Sequence, residues 1–201
     1  MNKEIINYIP KESSSLILNY LQKTNLDVKI TNIRKTKHGD FRINSDTNTL
    51  ITINKTLNKF RFLITLIHEI AHYETYLRNG RFVKPHGKEW KNIFRSLMVP
   101  FLNVQIFPQP ILKNLSNYIK NPKATTDSDF DLLMSLNLFE SKKVDSYVFQ
   151  LSEGDDFKTE NGRIFKMIRK RVKRYECKEI FSGKTYLFSP HAEVVLVKKH
   201  K

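Results

Sequence analysis

His68-Glu69-Ile70-Ala71-His72 sets two imidazoles four residues apart with a carboxylate beside the first. On a helix, positions i and i+4 share one face, so both rings can reach a single zinc ion while Glu69 takes a proton from a water activated there. Leu66, Ile67, Ile70 and Ala71 flank the polar residues, as a metal-binding helix lying against a core requires. A catalytic zinc also needs a third protein ligand and an open position. Two residues qualify: His86, fourteen positions past His72, and Glu89, which would make the set two histidines and a carboxylate. Neutral imidazole is a common zinc ligand and Gly87 allows close backbone approach, which favours His86. The expected site is one zinc per chain on His68, His72 and His86, with Glu69 as general base and acid. His38 falls in a turn, His200 in the tail and His191 near the last strand. Each of these reads as a surface residue, and His191 is the one that could approach the site.

The helix that must carry these residues runs from Asn54, a good N-cap type, to Gly80, a good C-terminal stop, with Leu57, Phe60, Ile64, Ile67 and Ala71 on one side. Before it, Leu16, Ile17, Tyr20 and Leu21 make the apolar stripe of a helix over 11–23. Three short segments, 28–33, 40–43 and 49–53, separated by His38-Gly39 and by turn residues at 45–48, read as a small antiparallel sheet. After the central helix, a basic loop over 81–87 leads to a helix bearing Trp90, Ile93, Phe94 and Leu97, which Pro100 ends. Further helices are expected near 109–119 and 129–139, and the polar residues 121–128 mark a linker. From about Val144 the runs 147–149, 163–168, 184–188 and 193–197 read as strands, with turns at Gly154, Asn161-Gly162 and Ser182-Gly183. The expected organisation is α+β: a helical catalytic domain over 1–120, a linker and helix over 121–143, and a β-rich carboxy-terminal module over 144–201.

The 201 residues include 35 Lys and Arg against 20 Asp and Glu, a formal charge of +15 with a pI near 9.8. Such a bias points to an acidic polymer as a partner. Residues 141–201 carry 15 basic and 8 acidic groups, against 20 and 12 in the longer stretch 1–140, so the surplus is densest late in the chain. Arg163, Lys166, Arg169, Lys170, Arg171, Lys173, Arg174 and Lys178 are opposed by Glu176 alone and interleaved with Phe165 and Tyr175. Such a stretch can hold phosphates and stack on unpaired bases, which suggests DNA; a solvated basic face is the plainer account of the same residues. Cys177 is the only cysteine, which excludes an intramolecular disulfide and zinc sites built from cysteine pairs and fits a reducing compartment. No run approaches the roughly 18 to 20 apolar residues of a membrane span, and the amino terminus lacks a secretory stretch, so a cytoplasmic protein is expected, with no membrane partner.

Thr36-Lys-His-Gly-Asp-Phe41, Thr49-Leu-Ile-Thr-Ile-Asn54, Phe62 to His72 and His86-Gly-Lys-Glu-Trp90 resemble, in order and separation, the SprT-like metalloprotease family over about residues 10–100. The resemblance implies a zincin-like catalytic domain in which His68, His72 and His86 hold zinc and Glu69 is the acid and base. It also implies protein substrates, and the family includes proteases that act on proteins attached to DNA, an activity that would place the chain at the nucleoid. Glu153-Gly-Asp-Asp-Phe157, Gly162-Arg-Ile-Phe165 and Tyr175-Glu-Cys177 resemble the family's zinc-ribbon region, but one cysteine cannot form the ribbon's four-cysteine site. The expected function is a zinc-dependent endopeptidase acting on DNA-bound or DNA-crosslinked protein. The alternative is a DNA-binding protein whose zinc site is structural or vestigial, and Glu69 separates the two, because a structural zinc needs no carboxylate there.

Overall fold

A computed structural model describes residues 3–32, 34, 37–45, 48–140 and 145–200; Ile33, Thr36, the middle of the 45–48 turn and the Val144 boundary lie outside them. The fold is α+β and divides into two compact units, residues 1–141 and 142–201.

In the first unit, α1 (Ser14–Gln22) is followed by β1 (Leu26–Thr31), β2 (Gly39–Ser45), β3 (Asn48–Asn54), α2 (Lys59–Asn79), α3 (Lys88–Met98), α4 (Gln109–Tyr118) and α5 (Phe130–Asn137). The sheet order is β1-β3-β2, and here the expectation of an antiparallel sheet is corrected. β2 and β3 form an antiparallel hairpin, but β1 pairs with β3 in parallel, Leu26 opposite Thr49 through Thr31 opposite Asn54. The chain leaves β1, passes the central position and starts the hairpin at the far edge, and side chains pin that crossing. Arg34 donates from Nε to Asn54 Oδ1 (2.9 Å) and from Nη1 to Thr52 Oγ1 (2.8 Å), while Asn54 Nδ2 donates to the carbonyls of Arg34 (3.1 Å) and Lys37 (2.9 Å). Asn54 is therefore a buried strand residue and not the helix cap. Asn58 caps α2, its Oδ1 accepting from Arg61 N at 2.9 Å.

α2 is 21 residues long, with no Gly or Pro inside, and stops at Gly80, whose φ of 76° places it in the left-handed region. Arg61 to Ile67, Glu69 to Ala71, Tyr73 and Thr75 are all buried, so this helix runs through the core; β2 and β3 cover one side and α3 another. α3 contributes Trp90, Ile93, Phe94 and Met98, a helical stripe of which Trp90 and Phe94 are fully enclosed. Each such side chain contributes about 1.5–3 kcal/mol on burial.

Residues 121–140, expected as a linker and a helix, belong to the first unit. Leu132 and Leu136 of α5 are fully buried in its core, and the connecting turn Thr126–Ser128 reaches α2 through Arg61. The Arg61 guanidinium, 5% exposed, meets Asp127 Oδ1 at 2.5 Å, Glu140 Oε1 at 3.1 Å and Asn137 Oδ1 at 2.6 Å. Arg61→Leu leaves two carboxylates facing a buried apolar surface, and we expect it to lower stability by about 2–3 kcal/mol, somewhat less than for a fully enclosed pair because Asp127 and Glu140 keep some solvent. Urea unfolding followed by Trp90 fluorescence measures this.

The second unit is a six-stranded sheet of order β4-β9-β5-β6-β7-β8, every pair antiparallel: β4 (Ser146–Tyr147), β5 (Asp156–Lys158), β6 (Ile164–Lys170), β7 (Tyr175–Glu179), β8 (Thr185–Phe188) and β9 (Glu193–Lys198). Gly162 and Gly183 turn the chain with φ of 83° and 68°. Val148, Phe157, Phe165, Met167, Tyr175, Cys177 and Val194 form its own core. β5 and β7 have no clear strand signal in the sequence, because their short, charge-rich segments hide their buried alternation.

Candidate metal centre

α2 presents His68 and His72 one turn apart. The third imidazole arrives from a tight turn, Lys84-Pro85-His86-Gly87, closed by Gly87 N donating to Lys84 O at 2.9 Å. Proline at its second position and a positive φ of 58° at His86 make it a type II turn, whose third position favours glycine. His86 is the only non-glycine residue with positive φ among those described. Gly87 is required for a different reason: a Cβ there would lie 2.9 Å from Lys84 O.

The three Nε2 atoms converge, with His68 to His86 at 3.1 Å, His72 to His68 at 3.2 Å and His72 to His86 at 3.0 Å. A tetrahedral zinc with bonds of about 2.0–2.1 Å puts neighbouring ligand atoms about 3.3 Å apart, so the triad fits that ion to within a few tenths of an ångström. Burial pushes all three rings below the usual histidine range, His72 to about 4, which leaves neutral imidazoles with lone pairs to offer. Among the described residues these three are the one group of side chains able to hold a metal ion. Glu89, the alternative third ligand, is exposed in the first turn of α3 and outside the group.

Trp90, four residues past His86, contacts all three rings, with centroid distances of 4.6 Å to His68, 5.4 Å to His72 and 4.8 Å to His86, and is stacked on Phe94 behind. In the sequence it stands in the helical stripe and at the end of the His86-Gly-Lys-Glu-Trp90 segment. Because it is the chain's single tryptophan and is fully buried against the triad, its fluorescence reports the site. Titrating zinc into chelator-treated protein is expected to change that emission until one equivalent is bound, and a break elsewhere, or none, contradicts a single site.

Glu69, 7% exposed, faces β2. Burial first, then the Asp40 charge, pushes its carboxyl up to about 8 in the metal-free chain, against Arg34, Lys37 and the Phe41 backbone N–H. Gly39 lies directly on it, since a Cβ at that position would sit 2.8 Å from Glu69 Oε1 and 2.7 Å from Thr65 Cγ2. A cavity of about 250 Å³ opens between this helix face and the 124–127 turn, lined by His68, Glu69, Lys37, His38 and Asp127. A second one, also about 250 Å³ and more apolar, borders His72 and is lined by Phe41, Ile43, Tyr76, Val83 and Trp90.

A family model, that of the SprT-like family, matches residues 11–108, which include the sheet, α2, the His86 turn and α3. Over this stretch the chain is similar to the SprT-like family. No curated protein matches it. The SprT-like match ends before α4, so Asp127 and the rest of the cavity's far wall lie beyond it.

The basic residues singled out in the sequence lie in the second unit, and carboxylates occupy several of them. Arg163 Nε donates to Glu179 Oε1 at 2.5 Å, and the guanidinium also covers the Tyr186 ring at 4.6 Å. Lys166 pairs with Asp156 at 2.9 Å, and both Arg169 (3.1 Å) and Arg171 (3.6 Å) turn to Glu176. Lys170, Lys173 and Arg174, at the exposed β6–β7 hairpin, have no carboxylate partner among the described residues. No described helix is long and apolar enough to cross a membrane.

Proposed function

We propose that the SprT-like domain is a zinc-dependent endopeptidase, zincin-like in its use of a central helix, with His68, His72 and His86 as the metal ligands and Glu69 as the catalytic acid and base. The observation that carries this reading is the convergence of three neutral Nε2 atoms within 3.0–3.2 Å of one another, next to a carboxylate that lines a cavity. Zinc bound there supplies Lewis acidity, which makes a water more acidic and draws charge from a carbonyl. The chain's own groups do the rest. Glu69 accepts the proton of the attacking water and returns it to the nitrogen of the broken peptide bond. Gly39 leaves it the room to do so, and Trp90 fixes the three rings from behind.

The proposed substrate is protein held on DNA, and the second unit's basic hairpin supports this part. Each Lys or Arg that neutralises a phosphate releases condensed counterions, so binding should be insensitive to sequence and steep in salt. The three cations without a carboxylate partner among the described residues matter most, because Arg163, Lys166, Arg169 and Arg171 must first give up a carboxylate. Replacing Lys170, Lys173 and Arg174 together by Ala is expected to weaken DNA binding for every sequence and to lower the slope of log affinity against log salt by roughly 0.7–0.9 for each phosphate no longer neutralised. Cleavage of a DNA-binding protein by zinc-loaded enzyme, with and without DNA, tests the whole reading. Stimulation by DNA that the triple variant loses is the expected result; cleavage indifferent to DNA removes the DNA-directed part. DNA binding without any cleavage favours a vestigial site.

A further inference from the structure

The cavity beside Glu69 contains a side chain for which the zinc-centred reading has no use. His38, expected to be a surface residue in a turn, has a side chain 34% exposed, and its Nε2 lies 2.7 Å from Asp127 Oδ2. The other Asp127 oxygen takes Arg61 Nη1 at 2.5 Å, and Arg61 is itself locked by Asn137 and Glu140. Burial alone would push the Asp127 carboxyl up, but the hydrogen bond and charge of His38 together with Arg61 outweigh it and hold it below the ordinary aspartate value. A chain of three groups thus runs from the interior of α2 to the cavity and ends on an imidazole. His68 and Glu69 line the same cavity, and Gly39, the neighbour of His38, touches Glu69. Lys37, the other cation lining this space, is committed to Asp40 at 2.7 Å. His38 thus lines the cavity together with the catalytic carboxylate and is held in place by Asp127.

We propose that His38 is a catalytic residue, with Asp127 as its positioning residue: it donates a hydrogen bond to the scissile carbonyl oxygen as negative charge builds there. This rests on the peptidase reading above. Protonated, the ring gives Nε2–H to Asp127 and keeps Nδ1–H for the substrate. The water oxygen bonds to the carbonyl carbon, the π pair moves onto the carbonyl oxygen, and Glu69 takes the water's proton. When the pair returns and the C–N bond breaks, that proton goes to the departing nitrogen, and His38 retains its own throughout. A donor aimed at charge that exists only in the transition state accelerates the reaction where one that binds the ground state equally does not.

Calorimetry on the zinc-loaded protein tests this with two peptides of one sequence: a phosphinic peptide, which has an anionic oxygen where the carbonyl oxygen would be, and a reduced-amide peptide, which has none. His38→Ala is expected to weaken the phosphinic peptide about ten- to a hundredfold, the worth of one charge-assisted hydrogen bond, and to leave the reduced amide within about twofold. His38→Gln, which keeps an N–H donor, should recover part of the loss, with zinc content unchanged in both variants. Unaltered phosphinic affinity in His38→Ala overturns the role and leaves the peptidase reading standing. Equal weakening of both peptides makes His38 a strut of the cavity and also overturns it. If the zinc-loaded wild type binds neither peptide, the peptidase reading fails and the role fails with it.

Discussion

Glu69→Gln is expected to fold, to bind zinc as the wild type does, and to hydrolyse protein about a hundredfold to ten-thousandfold more slowly, the usual contribution of a general acid–base group. The amide has the shape to lie beneath Gly39 in the same pocket, so the backbone of β2 has no reason to move. It cannot accept a proton at neutral pH. A second consequence concerns the stability of the metal-free chain. In the metal-free chain the Glu69 carboxyl is pushed from 4.5 up to about 8, chiefly by burial. A carboxyl raised in the folded state favours the protonated form, so its ionisation costs no stability below the ordinary value and costs progressively more as the pH rises towards the folded one. Gln does not titrate. The metal-free variant should therefore melt above the metal-free wild type at neutral pH, and the gap should close below pH 4.5. Undiminished turnover would sink the mechanism, and a gap that ignores pH would show that Glu69 carries no buried charge.

His86→Gly is expected to have effects of opposite sign on metal and on fold. Metal affinity should fall by more than a hundredfold, because even groups that only orient a ligand are worth about 10–100-fold and His86 is itself one of three ligands. Stability of the metal-free chain should not fall. His86 occupies the left-handed region at φ 58°, a conformation that costs a side chain about 1–2 kcal/mol and that glycine adopts freely. That relief is offset in part by the extra freedom of glycine in the unfolded chain and by the missing packing against Trp90, whose ring centre is 4.8 Å away. The expected balance is a chelated variant that unfolds at the wild-type temperature or slightly above it. Elemental analysis reads the first effect, and thermal unfolding in chelator reads the second. A chelated variant that melts well below wild type would mean that the turn is not strained by its histidine, and full zinc occupancy would remove His86 from the ligand set.

What the residues alone determined was local. The pair His68 and His72 shares a helix face because the helical repeat is set by neighbouring peptide groups, and the long apolar periodicity around it already required a helix that ends at Gly80. Pro85 and Gly87 around His86 likewise announce a turn from backbone preferences that need no tertiary partner. What only the folded chain decided was which of several equivalent residues did a job, and that depends on neighbours distant in sequence. Asn54 and Asn58 are equally good caps as residue types; Asn54 was withdrawn from that role because the β1 to β2 crossing left two carbonyls for its side chain to satisfy. The parallel pairing of β1 and β3 has no marker in either strand, since both orders bury the same alternate faces. The basic stretch reads as eight cations opposed by Glu176 alone, and carboxylates claim half of them in the folded sheet, Lys166 and Arg169 by cross-strand register. The imidazole of His38 meets a carboxylate 89 residues away, in a segment whose polar composition reads as a linker. Hydrogen bonds of that kind are formed by packing after the local elements exist, so they leave no periodic trace in the sequence, and they tie the wall of the cavity facing Glu69 to α2 and to His38.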